Sequence, residues 1–526
     1  MSLAMLIPLP VLLPLIGAGI TLMLAGRARA QAAITIITLL AVLAIDVVLL
    51  IGVDARATQA LAVGGWELPF GIALVVDRVS ALMLVISAIV TFGVLLYAVG
   101  EEMADTSNET PVSVFYPAYL ILCAGVAAAF VTGDLFNLYV GFEMLLAASY
   151  VLLTLGSTGE RIRAGVTYIV ISLVSSIIFL SAIGLIFAAT GTVNMAQLSE
   201  RIGRLPEDVQ LILHIILLLG FGIKAAVFPL AFWLPDSYPT APAPVTAVFA
   251  GLLTKVGIYA IIRTETVIFA ESDLRVPLLV IGGLTMLVGI LGAIAQSEIK
   301  RMLSFTLISH IGYMIFGVAM GTVEGLTAAI FYTLHHILVQ TALFLAIGLI
   351  EQRAGSTSIR KLGGLGVLAP WISLLFFIPA LNLAGIPPFS GFIGKVALFT
   401  AGFDTRDWLI FVLIGAGTLT SLLTLYVIGK TWNLGFWRDP DDVEEPTEEL
   451  VTEFKERRAA LADGRRWTSS ITSDPTMVFA TTLIVAVSVS LTLIAGPLWD
   501  VSSRAAENLR GPNTYITSVL DLRGDR

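Results

Sequence analysis

Apolar runs of about 20 residues, separated by short polar stretches, recur along almost the whole of this chain. As a helix, each run is long enough to cross a hydrocarbon layer of about 30 Å. The pattern predicts fourteen membrane-spanning segments, at roughly 5–25, 32–52, 76–99, 113–132, 134–156, 164–190, 208–234, 240–263, 275–296, 302–320, 324–350, 368–402, 407–430 and 477–498. The fold class that follows is an all-α polytopic membrane protein. The first 25 residues lack a basic start and an Ala-x-Ala site, so they read as a retained helix and not as a cleaved signal.

Two segments carry interruptions of their own. Segment 7 reads Phe221-Gly-Ile-Lys224-Ala-Ala-Val-Phe-Pro229, and segment 12 contains Gly385-Ile-Pro387-Pro388-Phe-Ser390-Gly391-Phe-Ile-Gly394-Lys395. Proline removes a backbone donor, and the carbonyls it frees need protein or water partners, not lipid. Two helices broken in mid-membrane are therefore expected, each beside a lysine. Paired breaks of this kind mark a transport site at the midplane.

Between segments 13 and 14 the apolar pattern gives way at 431–476. Pro446 suits a first helical turn and Gly464 a stop. Leu450, Phe454 and Leu461 fall on one face, and Glu453 stands one turn before Arg457. An amphipathic helix on the cytoplasmic membrane surface or on a neighbouring subunit fits these residues; so does a solvated charged linker.

Only 13% of the residues are charged against 57% hydrophobic, about half the charge of a soluble domain. The net charge of −8 says little about partners, because much of the acid lies at Glu101–Asp105 and Asp439–Glu456. Basic residues favour one set of loops. Arg27, Arg29, Arg161, Arg163, Lys300, Arg301, Arg353, Arg360 and Lys361 follow odd-numbered segments, whereas Arg201, Arg204, Arg263, Arg275 and Arg406 follow even ones. The positive-inside bias then puts both termini outside. The single cysteine, Cys123, excludes an intrachain disulfide and a cysteine metal cluster. No phosphate-cradling or dinucleotide motif is present, and no nucleic-acid partner or cofactor is implied.

The chemistry lies in the charges that the apolar segments enclose. Of seven lysines, Lys224, Lys255 and Lys395 fall inside segments, with Glu143 about ten residues into segment 5 and all four histidines (His214, His310, His335, His336) similarly placed. An ionisable group at bilayer depth costs several kcal/mol and usually marks an ion or proton path. Desolvation eases the proton off a buried lysine and a nearby carboxylate holds it on, so Glu143 is the natural switch for Lys224. His335 and His336 titrate near neutrality, which suits a shuttle between amines. Adjacent helical residues point about 100° apart, so only one of the pair need face the path. Snorkelling lysines, a protonated structural carboxyl and packing histidines are the competing readings. A Na⁺-binding core built on unwound carbonyls is another, although lysines along the path repel a cation. Asp46 is a lone acid in segment 2 with no evident partner.

These stretches resemble the antiporter-like, proton-translocating membrane subunits shared by respiratory complex I and the Mrp cation/proton antiporters. The likeness covers roughly 75–430 and is carried by Gly133–Leu153, Phe221–Arg263, Ala293–Met314, Tyr332–Gly348 and Leu381–Lys395. It implies about fourteen helices with two inverted five-helix repeats, at 113–265 (helices 4–8) and 266–430 (helices 9–13). Three helices would precede them at 1–112, and the 431–476 loop and a last helix with its tail at 477–526 would follow. It also implies a proton path through Glu143, Lys224, Lys255, His336 and Lys395. His335 stands with these as a proton-transfer candidate, and His310, Asp236 and Gln340 are secondary ones. Gln340 falls where one complex I subunit type has another lysine, and Lys395 where another type has glutamate.

The wording Gly-Asp-Leu-Phe-Asn-Leu-Tyr looks most like the D-type subunits of Mrp antiporters. The implied partners are then other membrane subunits, protons, a monovalent cation such as Na⁺, and the lipid bilayer. An antiporter-like subunit of a complex I or membrane-bound hydrogenase is the alternative, and a stand-alone secondary transporter a second class. The chain is then a transporter subunit and not an enzyme, with no covalent catalysis expected unless it is part of a complex I-type oxidoreductase.

Overall fold

The computed structural model describes residues 3–66, 71–101, 114–155, 159–270, 273–445, 448–463 and 473–523. Helix dominates, as it must where the backbone has no water to bond to. In chain order the first helices are α1 (Leu9–Met23), α2 (Ala28–Arg56), α3 (Arg78–Gly100), α4 (Phe115–Val131), α5 (Leu135–Thr154), α6 (Gly159–Thr190), α7 (Met195–Ile202) and α8 (Glu207–Ala225). Next come α9 (Leu234–Ser237), α10 (Ala243–Val248), α11 (Thr254–Arg263), α12 (Arg275–Ile294), α13 (Ile299–Ala319) and α14 (Val323–Ala354). The last are α15 (Leu365–Leu368), α16 (Pro370–Ala384), α17 (Ser390–Asp404), α18 (Trp408–Trp432), α19 (Glu448–Ala462), α20 (Pro475–Leu493), α21 (Ala495–Arg510) and α22 (Asn513–Leu520). Among the described residues, twelve helices are long and apolar enough to cross a membrane, and Phe115–Val131 and Pro370–Ala384 are shorter apolar helices.

The core follows from which helices are enclosed. The most apolar stretches of Ala243–Ile268 and Val323–Ala354 are wholly buried, whereas α1 and α2 keep most of their apolar side chains on the outside, as lipid-facing helices do. The α14 helix packs on α3, α10, α13, α16, α17, α20 and α21.

Both expected breaks are present. The first falls right after Lys224: α8 ends at Ala225, and Ala226 turns left-handed at φ 57°. Lys224 thus stands at a helix end, not mid-helix as its place in the apolar run implied. Trp233 Nε1 donates to the Ile223 carbonyl (3.2 Å), and Thr285 on α12 accepts from Phe228 N (3.1 Å), so neighbouring groups serve the freed backbone. The second break separates α16 from α17, with Gly385 at φ 85°. A third irregularity has no proline to announce it: residues Phe249–Leu253, between α10 and α11, form a π turn.

Ends of helices gather on two faces. One face carries the hairpin of β1 (Gln59–Ala62) and β2 (Ala73–Val76), together with the bridges Leu74↔Thr132 and Asp134↔Asn194. The Gly133-Asp134 wording is therefore a capping corner: Asp134 accepts from Asn137 N (2.8 Å) at the start of α5. The expected C-terminal tail folds back on this face as α21 and α22. Arg504 bonds Asp54 (2.7 Å), and Tyr515 lies over the Arg263 guanidinium at 5.2 Å. Arg263, read from sequence as a loop cation, is buried and paired with Asp77 at 2.6 Å.

The opposite face carries α19. Its apolar side packs on this chain itself, with Leu450 and Phe454 buried and Glu453 paired to Arg353 at 2.6 Å. Leu461 is 61% exposed, because the surface that α19 covers stops short of its last turn. Pro446 and Gly464, and Glu102 and Asp105 of the acidic loop, lie outside the described residues.

Candidate proton-carrying site

The site begins on α5. Glu143 is part-buried on the flank of the bundle and accepts a hydrogen bond from Ser176 Oγ on α6. Lys224 Nζ donates to the same hydroxyl at 3.2 Å and lies 5.0 Å from the centre of the Phe142 ring. Carboxylate and ammonium are thus joined through one serine, which has a proton to give and lone pairs to accept with. The sequence put Glu143 and Lys224 in the same path but held no sign of Ser176 between them. A cavity of about 20 Å³, lined by Ser172, Ser175, Lys224, Tyr168 and Leu253 among others, adjoins Lys224 on the side of the π turn. It has room for a single water.

Lys255 is fully buried at the start of α11 and donates to the Ala250 carbonyl at 2.6 Å. Ala250 lies in the π turn, five residues earlier, where the wider turn frees a carbonyl for the ammonium. Beyond it, Gly257 brings α11 close to α8: a Cβ there would sit 2.7 Å from Ala225 N. The two lysine-bearing helices therefore meet within a residue or two of both lysines.

The third part is a cluster of rings. His310 Nδ1 bonds Tyr332 Oη at 2.6 Å, and the His310 and His336 rings are 5.3 Å apart. His335 Nδ1 bonds Ser390 Oγ at 2.9 Å and lies 5.4 Å from Tyr332. Both members of the histidine pair thus enter the cluster, where sequence required only one. Neither nitrogen of His336 has a hydrogen-bond partner among the described residues. Lys395 closes the cluster: its Nζ donates to the carbonyls of Leu383 and Ala384, each at 3.0 Å, and lies 5.3 Å from the Tyr313 ring. Those carbonyls are the last of α16, left open by the break. Asn382 ties the break together. It accepts from Gly391 N (2.9 Å) and donates to Ser488 on α20 (3.2 Å).

Other candidates fall elsewhere. Asp236 pairs with Arg301 at 2.8 Å at the surface, with its side chain 61% exposed. Gln340 donates to the Leu303 carbonyl at 2.9 Å. His214 pairs with Glu265 at 2.6 Å and stacks on Phe269. Asp46 is buried on α2, and its Oδ1 has no partner among the described residues. No group of three or more His, Cys, Asp or Glu among the described residues is placed to hold a metal ion.

Residues 132–424, which contain every station of this arrangement, match the family described as "NADH:quinone oxidoreductase/Mrp antiporter, TM". The chain belongs to this family. Over 98% of its length it is 37% identical to the D-type subunit of the Na⁺/H⁺ antiporter of Alkalihalophilus pseudofirmus, 99% of which is covered. The corresponding protein of Bacillus subtilis is 35% identical, with 97% of this chain and 98% of that protein covered. Among solved structures, a chain of the Mrp complex from Dietzia superposes with a TM-score of 0.86 at 34% identity, covering 98% of this chain and 99% of that one. A chain of the membrane-bound sulfane sulfur reductase, an archaeal respiratory membrane complex, gives 0.84 at 25% identity, with coverage of 98% and 99%. The near full-length likeness to antiporter subunits marks this as a multi-pass membrane transporter subunit and not an enzyme.

Proposed function

We propose that this chain carries protons within a multisubunit Na⁺/H⁺ antiporter, passing them along Glu143, Lys224, Lys255, His336 with His335 and His310, and Lys395. The observation that carries this reading is Glu143 itself. A carboxylate in the middle of a membrane-spanning helix is part-exposed on the flank of the chain, yet bonded inward through Ser176 to Lys224. Such a group does not face lipid. A neighbouring membrane subunit that covers it also has access to the first station, so the charge of one subunit can bias the next.

Within this reading the stations divide between two inverted repeats, at 113–265 and 266–430, and protons move laterally between the breaks. The basic loops lie in the cytoplasm and both termini outside, in a bacterial plasma membrane. The relatives' names support Na⁺ as the exchanged cation and the Dietzia complex supports further membrane subunits as partners. The likeness to the sulfane sulfur reductase chain supports a second reading, an antiporter-like subunit of a respiratory complex.

Purification of the native assembly separates the two. Small membrane subunits alone support the antiporter, and redox subunits support the respiratory complex. Cation-dependent proton movement in vesicles, lost in assembled Glu143→Gln complexes, is the expected behaviour. Normal exchange by that variant overturns the relay.

A further inference from the structure

A second cluster of ionisable groups, absent from the relay, is gathered where α3, α13 and α14 end on one face. Tyr97 and Glu101 stand one turn apart at the end of α3 and share a side of that helix. The Tyr97 hydroxyl is buried, as is Glu101 Oε2, and neither has a hydrogen-bond partner among the described residues. Orphaned buried oxygens in a native protein call for water or for a function. Three charged groups from other helices act on Glu101: Lys300 of α13, Glu351 of α14 and Arg161 of α6.

The cluster grades from water to interior. Glu351, with its side chain 43% exposed, pairs at 2.5 Å with Lys300, which is only 9% exposed. Arg161 is engaged with the carbonyls of Leu155 (2.9 Å) and Thr240 (3.1 Å). The Tyr97 hydroxyl sits against Gly348 of α14, where a Cβ would lie 2.5 Å from it. From Gly348 inward along the same helix come Thr341 and then His336. The twelve steps from Gly348 to His336 rise about 18 Å along the helix.

We propose that Glu101 and Tyr97 form the proton uptake port of this chain, taking protons from the Glu351 face and feeding them inward to the relay. The proposal rests on the relay reading above. In each step Glu101 receives a proton from water on one side. It then passes that proton through a bridging water to the Tyr97 oxygen while the phenol gives its own proton inward, so the count is conserved and the phenol never ionises. Burial raises the Glu101 carboxyl to about 7; Lys300 pulls it down, Glu351 adds to the rise and Arg161 pulls it down. At that value it both takes and yields protons near neutrality.

The experiment uses the assembled complex. In chains carrying Cys123→Ala, which removes the only cysteine, Tyr97→Cys, Glu101→Cys or Glu351→Cys is introduced. Sealed vesicles of each orientation are then treated with a membrane-impermeant charged thiol reagent, and labelling of this chain is read. Positions 97 and 101 are expected to label from the same side as 351 and not from the other. No labelling at 97 and 101 while 351 reacts overturns the port. In the same vesicles, Glu101→Gln and the isosteric Tyr97→Phe should lower exchange about tenfold or more and flatten its dependence on pH around 7. If the wild-type complex exchanges cation for protons and both variants match its rate and pH profile, the port alone falls. If the wild-type complex exchanges none, the relay reading falls and takes the port with it.

Discussion

The Lys224 ammonium meets the Ser176 hydroxyl at 3.2 Å, and that hydroxyl carries the contact on to Glu143. The interposed serine fixes the direction of each bond. Lys224 donates to Ser176 and Ser176 donates to Glu143, which is the pattern that suits an ammonium at one end and a carboxylate at the other. Movement of α5 or α6 that breaks either bond removes the carboxylate's hold on the amine.

Ser176→Ala is therefore expected to slow exchange about tenfold without abolishing it, since a water of similar reach replaces the hydroxyl. Ser176→Thr should stay close to wild type. Rates of cation-dependent pH change in vesicles holding assembled complex check both. An alanine variant as dead as Glu143→Gln would make the hydroxyl an obligate proton carrier, not a bridge.

Lys224→Arg should be inactive although its charge is kept, because a guanidinium does not release a proton at physiological pH. Lys255→Ala should be equally inactive. Wild-type exchange in the arginine variant would show that fixed positive charge suffices.

Lys395 faces two carbonyls, which accept hydrogen bonds and repel an anion. Lys395→Ala is expected to abolish exchange. Lys395→Glu should work only in acid, where the protonated carboxyl can donate to one of the carbonyls. A glutamate variant active across the neutral range would place its carboxylate away from the break. An alanine variant with intact exchange would take Lys395 out of the path.

The Arg263–Asp77 pair tests the architecture instead of the relay. Removing one partner of a buried ion pair costs about 3–5 kcal/mol, so Asp77→Asn should lower the thermal stability of the complex markedly. Burial alone would raise the Asp77 carboxyl, but Arg263 beside it and the hydrogen bonds from Arg263 and Ser80 hold it below the usual range. Its contribution is then present above the unfolded carboxylate value of about 4 and is lost as pH falls through the lower folded value. Melting curves should show that acid limb in wild type and a flatter one in Asp77→Asn.

The lysines and histidines of the site were legible because an ionisable side chain in a long apolar run has few innocent explanations. The two proline-marked breaks were legible for the same reason. Ser176, Tyr332, Ser390 and Asn382 were not: hydroxyls and amides are common in buried helices, and only the packing of α6 on α8, or of α14 on α17, gives them partners. The π turn before Lys255 has no residue signature. Arg263 passed for a loop cation because its partner Asp77 lies 186 residues away in the chain. The face of α19 was readable, but what covers it was not, since its partner surface comes from 364–368 and Arg353.

The hydrogen bonds of the Lys395 ammonium go to the main chain, with the Tyr313 ring beside it. Its two acceptors are peptide oxygens at the end of α16, so no substitution of the residues that own them can delete them, and any change in the gap between α16 and α17 alters both at once. The acceptors of the amine are set by the shape of a fracture and not by the side chain of a neighbour. A mechanical displacement of one half-helix and a change of charge at its partner are, at this place, the same event.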